Sequence, residues 1–67
     1  MGIFAERLKE LRKERNMSEL QLAKVLGVSS TTINRWGRGL RVPNLDSLLL
    51  LARFFDVSID YLCGLED

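Results

Sequence analysis

The stretch ELQLAKVLGVSSTTINRWGR, residues 19–38, decides how this chain folds. Leu22, Ala23 and Leu26 fall on one side of a helix, and Gly27 stops it with the residue type best able to take a left-handed backbone. Ile33 and Trp36 then resume an apolar stripe at helical spacing. Between the two stripes stand four consecutive hydroxyl residues, Ser29, Ser30, Thr31 and Thr32. Such residues bond their own backbone and make mediocre helix interiors. A helix needs one of them, Ser29, as its N-cap. Exposure alone would favour Glu, Lys or Ala at the next three positions, so folding does not explain Ser30, Thr31 and Thr32.

The segment reads as two helices of eight or nine residues joined by a turn of three or four that contains Gly27. A tight turn demands glycine. A steep crossing demands a small side chain at closest approach, which Ala23 supplies, and the second helix needs an apolar underside, which Ile33 and Trp36 supply. This is the helix-turn-helix pattern.

Working outward, Phe4, Leu8 and Leu11 recur at i, i+4 and i+7 and predict a helix over about residues 3–15. Ser18 with Gln21 forms a capping box, so the next helix starts at Glu19. The helix capped by Ser29 ends near Gly37 and Gly39. Pro43 forces an extended approach to Asn44, the cap of a fourth helix with Asp46 in its first turn and an inward stripe of Leu45, Leu48, Leu51, Ala52 and Phe55. Val57 and the cap Ser58 lead into a fifth helix that uses Ile59, Leu62 and Leu65. No segment alternates as a strand does. The expected fold is all-α, a five-helix domain over residues 1–67 with the helix-turn-helix at helices 2 and 3.

Composition narrows the function. At 46% hydrophobic and 28% charged residues the chain has the make-up of a folded globule, not of a disordered tail. One cysteine, Cys63, forms no internal disulfide, and the absence of histidine removes the usual zinc constellations, so no metal and no cofactor is expected; Cys63 reads as a small buried apolar residue. No basic-then-apolar leader opens the chain. LLLLARFF, its longest apolar run, is broken by Arg53 and falls short of the roughly 20 residues that span a bilayer, so a cytoplasmic location and no membrane partner are expected. Neither paired carboxylates on one helix face nor a phosphate loop points to an enzyme.

Net charge is +1, yet it is unevenly distributed: residues 1–43 hold nine Lys or Arg against four Glu, and residues 44–67 hold one Arg against five acids. A basic half suits a polyanion, although solvated helices are always charged.

The runs RLKELRKERNMS, LAKVLGVS, TINRW, RVPNLDSLLLLA and FFDVSIDYL, in this order, resemble the phage-repressor and Cro-type helix-turn-helix family of bacterial and phage regulators over essentially the whole chain. That resemblance implies that the third helix enters the major groove of double-stranded operator DNA. Ser30 and Thr31 then meet bases, as does Arg35 one turn further on, able to clamp guanine bidentately. Asn34 faces the groove wall and joins the base-contact candidates by helical spacing alone. Ser29 and Thr32, with Lys24, Arg38 and Arg41, are the candidates for backbone phosphates.

Two departures from the family touch binding. Glu19 stands where the family has Gln, and its carboxylate repels a phosphate that Gln would bond. Gly37 replaces a Glu that pairs with the residue corresponding to Arg12, which must then turn outward or find another partner. The family also keeps polar residues where this chain has Leu50 and Phe54. With Tyr61, Leu62, Cys63 and Leu65 they form the candidate interface of a homodimer, whose two reading helices would sit about 34 Å apart. The expected function is a sequence-specific transcriptional regulator, read as a repressor; the alternative is an antitoxin or adaptor module whose helix 4 and 5 surface binds a protein partner.

Overall fold

Side-chain caps decide where the helices start. The computed structural model, which describes residues 2–66, contains α1 (Gly2–Glu14), α2 (Glu19–Leu26), α3 (Ser30–Gly37), α4 (Leu45–Phe55) and α5 (Ile59–Cys63), with no strand among the described residues. Residues 1 and 67 of the expected domain lie outside the described residues. At α2 the capping box is complete: Ser18 Oγ accepts from the Gln21 N–H at 3.1 Å and Gln21 Oε1 accepts from the Ser18 N–H at 2.8 Å. Ser29, Asn44 and Ser58 cap α3, α4 and α5, each accepting from the N–H three residues on.

The ends are as uniform as the starts. Asn16, Gly27, Gly39, Asp56 and Gly64 all have positive φ, between 54° and 82°. In each case the next N–H reaches back five residues: Met17 to Arg12, Val28 to Ala23, Leu40 to Arg35, Val57 to Ala52 and Leu65 to Asp60, at 2.8–3.0 Å. This left-handed closure satisfies carbonyls that a helix end would otherwise leave unpaired. Gly27 is legible in the sequence as such a stop. Asn16 and Asp56 are not, because most Asn and Asp residues lie elsewhere; their short polar side chains tolerate the left-handed region better than most.

All five helices close on one core, in which Leu8, Leu22, Ile33, Leu51 and Leu62 are under 2% exposed. Phe4 of α1 meets Trp36 of α3 edge-on at 6.4 Å, and Ala23 is buried with them. Four expectations need correction, the first being Leu65, which lies beyond the end of α5 at Cys63 and is 77% exposed. Leu45 is 65% exposed: as the first residue of α4 its side chain leans toward the helix N-terminus, beyond the core's edge, and the inward stripe begins at half-buried Leu48. Leu62 is fully buried, so it is a core residue and not an interface residue. Cys63, expected to be buried, is exposed, because α5 is one and a half turns long and Leu62 takes its inner face.

Three arginines of the α1 region tie the helix ends together. Arg15 Nη1 donates to the Phe54 carbonyl at 2.7 Å, with its guanidinium over the Phe54 and Phe55 rings at 5.0 and 5.2 Å. Arg7 Nη1 donates to the carbonyls of Tyr61 and Glu66 while its guanidinium lies 4.2 Å over the Tyr61 ring. Arg12, deprived of a carboxylate at position 37, donates Nη1 to the Met17 carbonyl at 2.9 Å and so holds the α1–α2 turn.

Two pairs of variants check this account by thermal unfolding. A Cβ at Gly64 would meet Ile3 Cγ2 at 2.5 Å on a backbone with φ +82°, whereas one at Gly37 finds nothing nearer than 3.9 Å. Gly64→Ala is expected to destabilise by about 1–2 kcal/mol and Gly37→Ala to stabilise by about 0.5–1 kcal/mol. Among the hydroxyls, Ser29→Ala is expected to cost about 1 kcal/mol, and Ser30→Ala to change stability by less than about 0.5 kcal/mol.

Candidate nucleic-acid interface

With Ile33, Trp36 and Gly37 buried, the opposite side of α3 faces out of the domain. Thr31 and Arg35 are exposed there, and Ser30, Thr32 and Asn34 are half-buried. The four hydroxyls divide by role. Ser29 Oγ accepts from the Thr32 N–H at 3.1 Å and sits 2.9 Å from Thr32 Oγ1, so these two close the first turn on each other. Ser30 and Thr31 make no such side-chain bond among the described residues and keep their hydroxyls for whatever meets the helix.

The cations divide in the same way. Arg7, Arg12 and Arg15 are committed to carbonyls on the α1 side. Lys24, Arg35, Arg38 and Arg41 are exposed, and among the described residues none of their side chains bonds within the domain. Arg38 is the C-cap residue of α3, and Arg41 follows Gly39 in the connection to α4. Arg41 and Thr32 line a cleft of about 280 Å³ with Val28, Trp36, Val42, Pro43, Asn44 and Ser47. The cleft therefore lies between α3 and the first turn of α4, with hydroxyl, amide and guanidinium groups on its walls.

Asn34 is engaged. Its Nδ2 donates to both carboxylate oxygens of Glu19, at 3.4 and 3.3 Å, across from α3 to the first residue of α2. The two residues are 15 apart in sequence, and only the crossing of α2 over α3 brings them together. The sequence shows their separate positions but not their contact. Among the described residues no group of three or more Cys, Asp or Glu side chains could hold a metal ion.

The candidate dimer residues scatter. Leu50, Cys63 and Leu65 are exposed, Phe54 and Tyr61 are half-buried beneath Arg15 and Arg7, and Leu62 is in the core. Further exposed apolar side chains, Leu40, Val42, Leu45 and Leu49, gather around the start of α4. No described helix is long and apolar enough to cross a membrane.

Comparison with known proteins agrees with this geometry. A family model described as helix-turn-helix matches residues 8–62. The HTH-type transcriptional activator BcrR of Enterococcus faecalis is 42% identical over 64 residues, covering 96% of this chain and 31% of that protein. Repressor protein C2 of Salmonella phage P22 is 35% identical over 60 residues, covering 90% of this chain and 28% of that protein. The chain thus spans under one third of the length of either relative. Among solved structures, a transcriptional regulator from Listeria innocua superposes with a TM-score of 0.89 at 36% identity, covering 96% of this chain and 60% of that one. The P22 c2 repressor in complex with a synthetic operator superposes with a TM-score of 0.85 at 34% identity, covering 92% of this chain and 94% of that one. With the family pattern matched from α1 to α5 and the same five-helix arrangement in the phage protein, the chain belongs to the phage-repressor type of helix-turn-helix family.

Proposed function

We propose that this chain is the DNA-binding part of a cytoplasmic, non-catalytic transcriptional regulator, a repressor that occupies double-stranded operator DNA as a homodimer. The observation that carries the proposal is the outer side of α3: Thr31 and Arg35 stand exposed there, and Lys24 of α2 with Arg38 and Arg41 after α3 are exposed cations with no side-chain bond among the described residues. The likeness to a repressor solved on a synthetic operator supports a duplex as the polyanion. In this reading Ser30, Thr31, Asn34 and Arg35 face base edges in the major groove, and Lys24, Arg38 and Arg41 hold phosphates. Ser29 and Thr32, bonded to each other, serve mainly to close the first turn of α3. The cleft lined by Arg41, Thr32 and Ser47 offers a backbone phosphate a cation and hydroxyls together.

The homodimer is supported by the exposed apolar side chains of Leu45, Leu49 and Leu50 on α4. An adaptor that works only through a protein partner has less support, because the proteins this chain resembles are transcriptional regulators and repressors, one of them solved with an operator; the covered Phe54 and Tyr61 and the buried Leu62 confine any protein interface, a homodimer's included, to other residues.

Two substitutions separate reading from holding. Arg35→Ala is expected to flatten discrimination among duplexes, losing about 1–3 kcal/mol on the preferred sequence and little on others. Arg41→Ala is expected to weaken every duplex alike and to reduce the slope of log affinity against log salt by about one. Fluorescence anisotropy on a panel of duplexes at several salt concentrations measures both. An equal loss on every duplex for Arg35→Ala counts against its reading role.

A further inference from the structure

Glu19 is the residue that the proposed function leaves without a role, and by its charge it opposes that function. A carboxylate at the edge of a phosphate-binding surface weakens binding, and although it favours the start of α2 electrostatically, Ser18 and Gln21 already cap that helix. Its position is nevertheless well defined. Half-buried Glu19 extends over Gly37, where its Oε2 lies 4.0 Å from the point a Cβ would occupy, with Lys9 Cε of α1 at 3.9 Å from the same point. A Cβ at 37 would lie in ordinary contact with the carboxylate, which from this position receives the Asn34 amide.

The chemistry of that contact orients Asn34. A carboxylate only accepts hydrogen bonds, so the amide must turn Nδ2 toward Glu19; the flipped side chain would set Oδ1 against two acceptor oxygens. Oδ1 accepts no bond among the described residues, and no buried side-chain oxygen or nitrogen among them lacks a partner, so Oδ1 is open to solvent. A free asparagine reads adenine by using both ends of its amide, oxygen on N6 and nitrogen on N7. Held by Glu19 through one of its two N–H groups, this one cannot flip, and its oxygen stays turned outward.

We infer that Glu19 is a positioning residue for sequence readout: it holds the Asn34 amide nitrogen on α2 and presents Asn34 Oδ1 to the major groove as an acceptor, favouring a base with an exocyclic amine. Cytosine N4 and adenine N6 are such donors in the major groove, whereas guanine O6 and thymine O4 are acceptors that repel it. The inference rests on the reading of α3 as the recognition helix. It adds that a residue on α2, unfavourable to affinity, sets the base preference of a residue on α3.

The test is selection of bound sequences from a random duplex pool by the unchanged chain and by Glu19→Gln, Glu19→Ala, Asn34→Ala and the Glu19→Ala, Asn34→Ala double variant. Thermal melts establish that each is folded. At one position of the selected site, the unchanged chain is expected to prefer cytosine or adenine over guanine or thymine by roughly three- to tenfold, the effect of one hydrogen bond. Glu19→Gln keeps an acceptor for the Asn34 amide, so it is expected to keep that preference while binding every duplex more tightly. Glu19→Ala lets the amide flip and present its nitrogen to guanine O6 or thymine O4, so it is expected to relax the preference, and both variants lacking Asn34 lose it. A Glu19→Ala protein that selects the same bases as the unchanged chain, or an Asn34→Ala protein that keeps the preference, overturns the inference and leaves the recognition-helix reading standing. Failure of the unchanged chain to enrich any sequence overturns that reading itself, and the inference with it.

Discussion

How closely α2 lets α3 approach governs everything on the outer side of α3. α2 contributes Ala23, 1% exposed, and α3 contributes Ile33 and Trp36, at 1% and 4%, to one buried cluster. A side chain as small as a methyl group suits a close approach of the two helices, with Leu22 and Leu26 buried in the same core. A larger side chain would have to displace α3 or distort a close-packed interior, since such cores absorb added volume poorly. Ala23 also acts through its backbone, because its carbonyl accepts the Val28 N–H at 3.0 Å and so anchors the turn through Gly27. The residue that sets the spacing of the two helices thus also sets the path of the chain between them. Small size at 23 and left-handed freedom at 27 act as one constraint, and the direction of Thr31 and Arg35 follows from it.

Around this unit, arginine is used in two unlike ways. The guanidiniums of Arg7 and Arg15 bond carbonyls near the C-terminal ends of α5 and α4 and lie over aromatic rings. There a cation meets both the partial negative charge of a helix end and the negative face of a ring. In a small domain, whose core buries a limited share of its surface, such links hold the last two helices onto α1. The arginines at 35, 38 and 41 have nothing comparable to bond among the described residues. Counting Lys and Arg in the first 43 residues therefore overstates the cations available to a polyanion. The division between the two uses appears only when each guanidinium's carbonyl, or lack of one, is known.

Local chemistry makes much of the fold legible in the sequence. The Ser18 box, the caps Ser29, Asn44 and Ser58 and the stop at Gly27 are each decided within a few residues, and all five occur where the pattern indicates. The resemblance to phage repressors supplies what local chemistry lacks, the direction in which α3 faces. What stays hidden depends on residues far apart in sequence. Leu62 and Cys63 are neighbours of similar apolar character, and only the seating of a five-residue helix on α1 and α4 assigns one to the core and the other to solvent. The Glu19 to Asn34 contact is hidden for the same reason. Leu45 departs from expectation more subtly, since the periodic stripe of α4 continues back to it in sequence but its side chain leans past the edge of the core.

The distribution of acids at helix starts bears on the choice of α3 as the reading element. Glu19, Asp46 and Asp60 stand in the first turns of α2, α4 and α5, where a carboxylate offsets the partial positive charge of unpaired N–H groups. The first turns of α1 and α3 carry no acid, and in α3 alone hydroxyl residues stand in its place. By the stability argument that accounts for the other three, an acid at Ser30 or Thr31 would have been the better choice. Its absence leaves the N-terminus of α3 positive, one turn before Arg35. Hydroxyls there satisfy the helix start without contributing negative charge, and they remain able to donate to or accept from a base edge. The acids of the C-terminal half, by contrast, have local reasons of their own in Asp46, Asp60 and the left-handed Asp56. The charge asymmetry of the chain is therefore composed of two things: acids retained where helix starts benefit from them, and acids missing from the start of the helix whose exposed side faces outward.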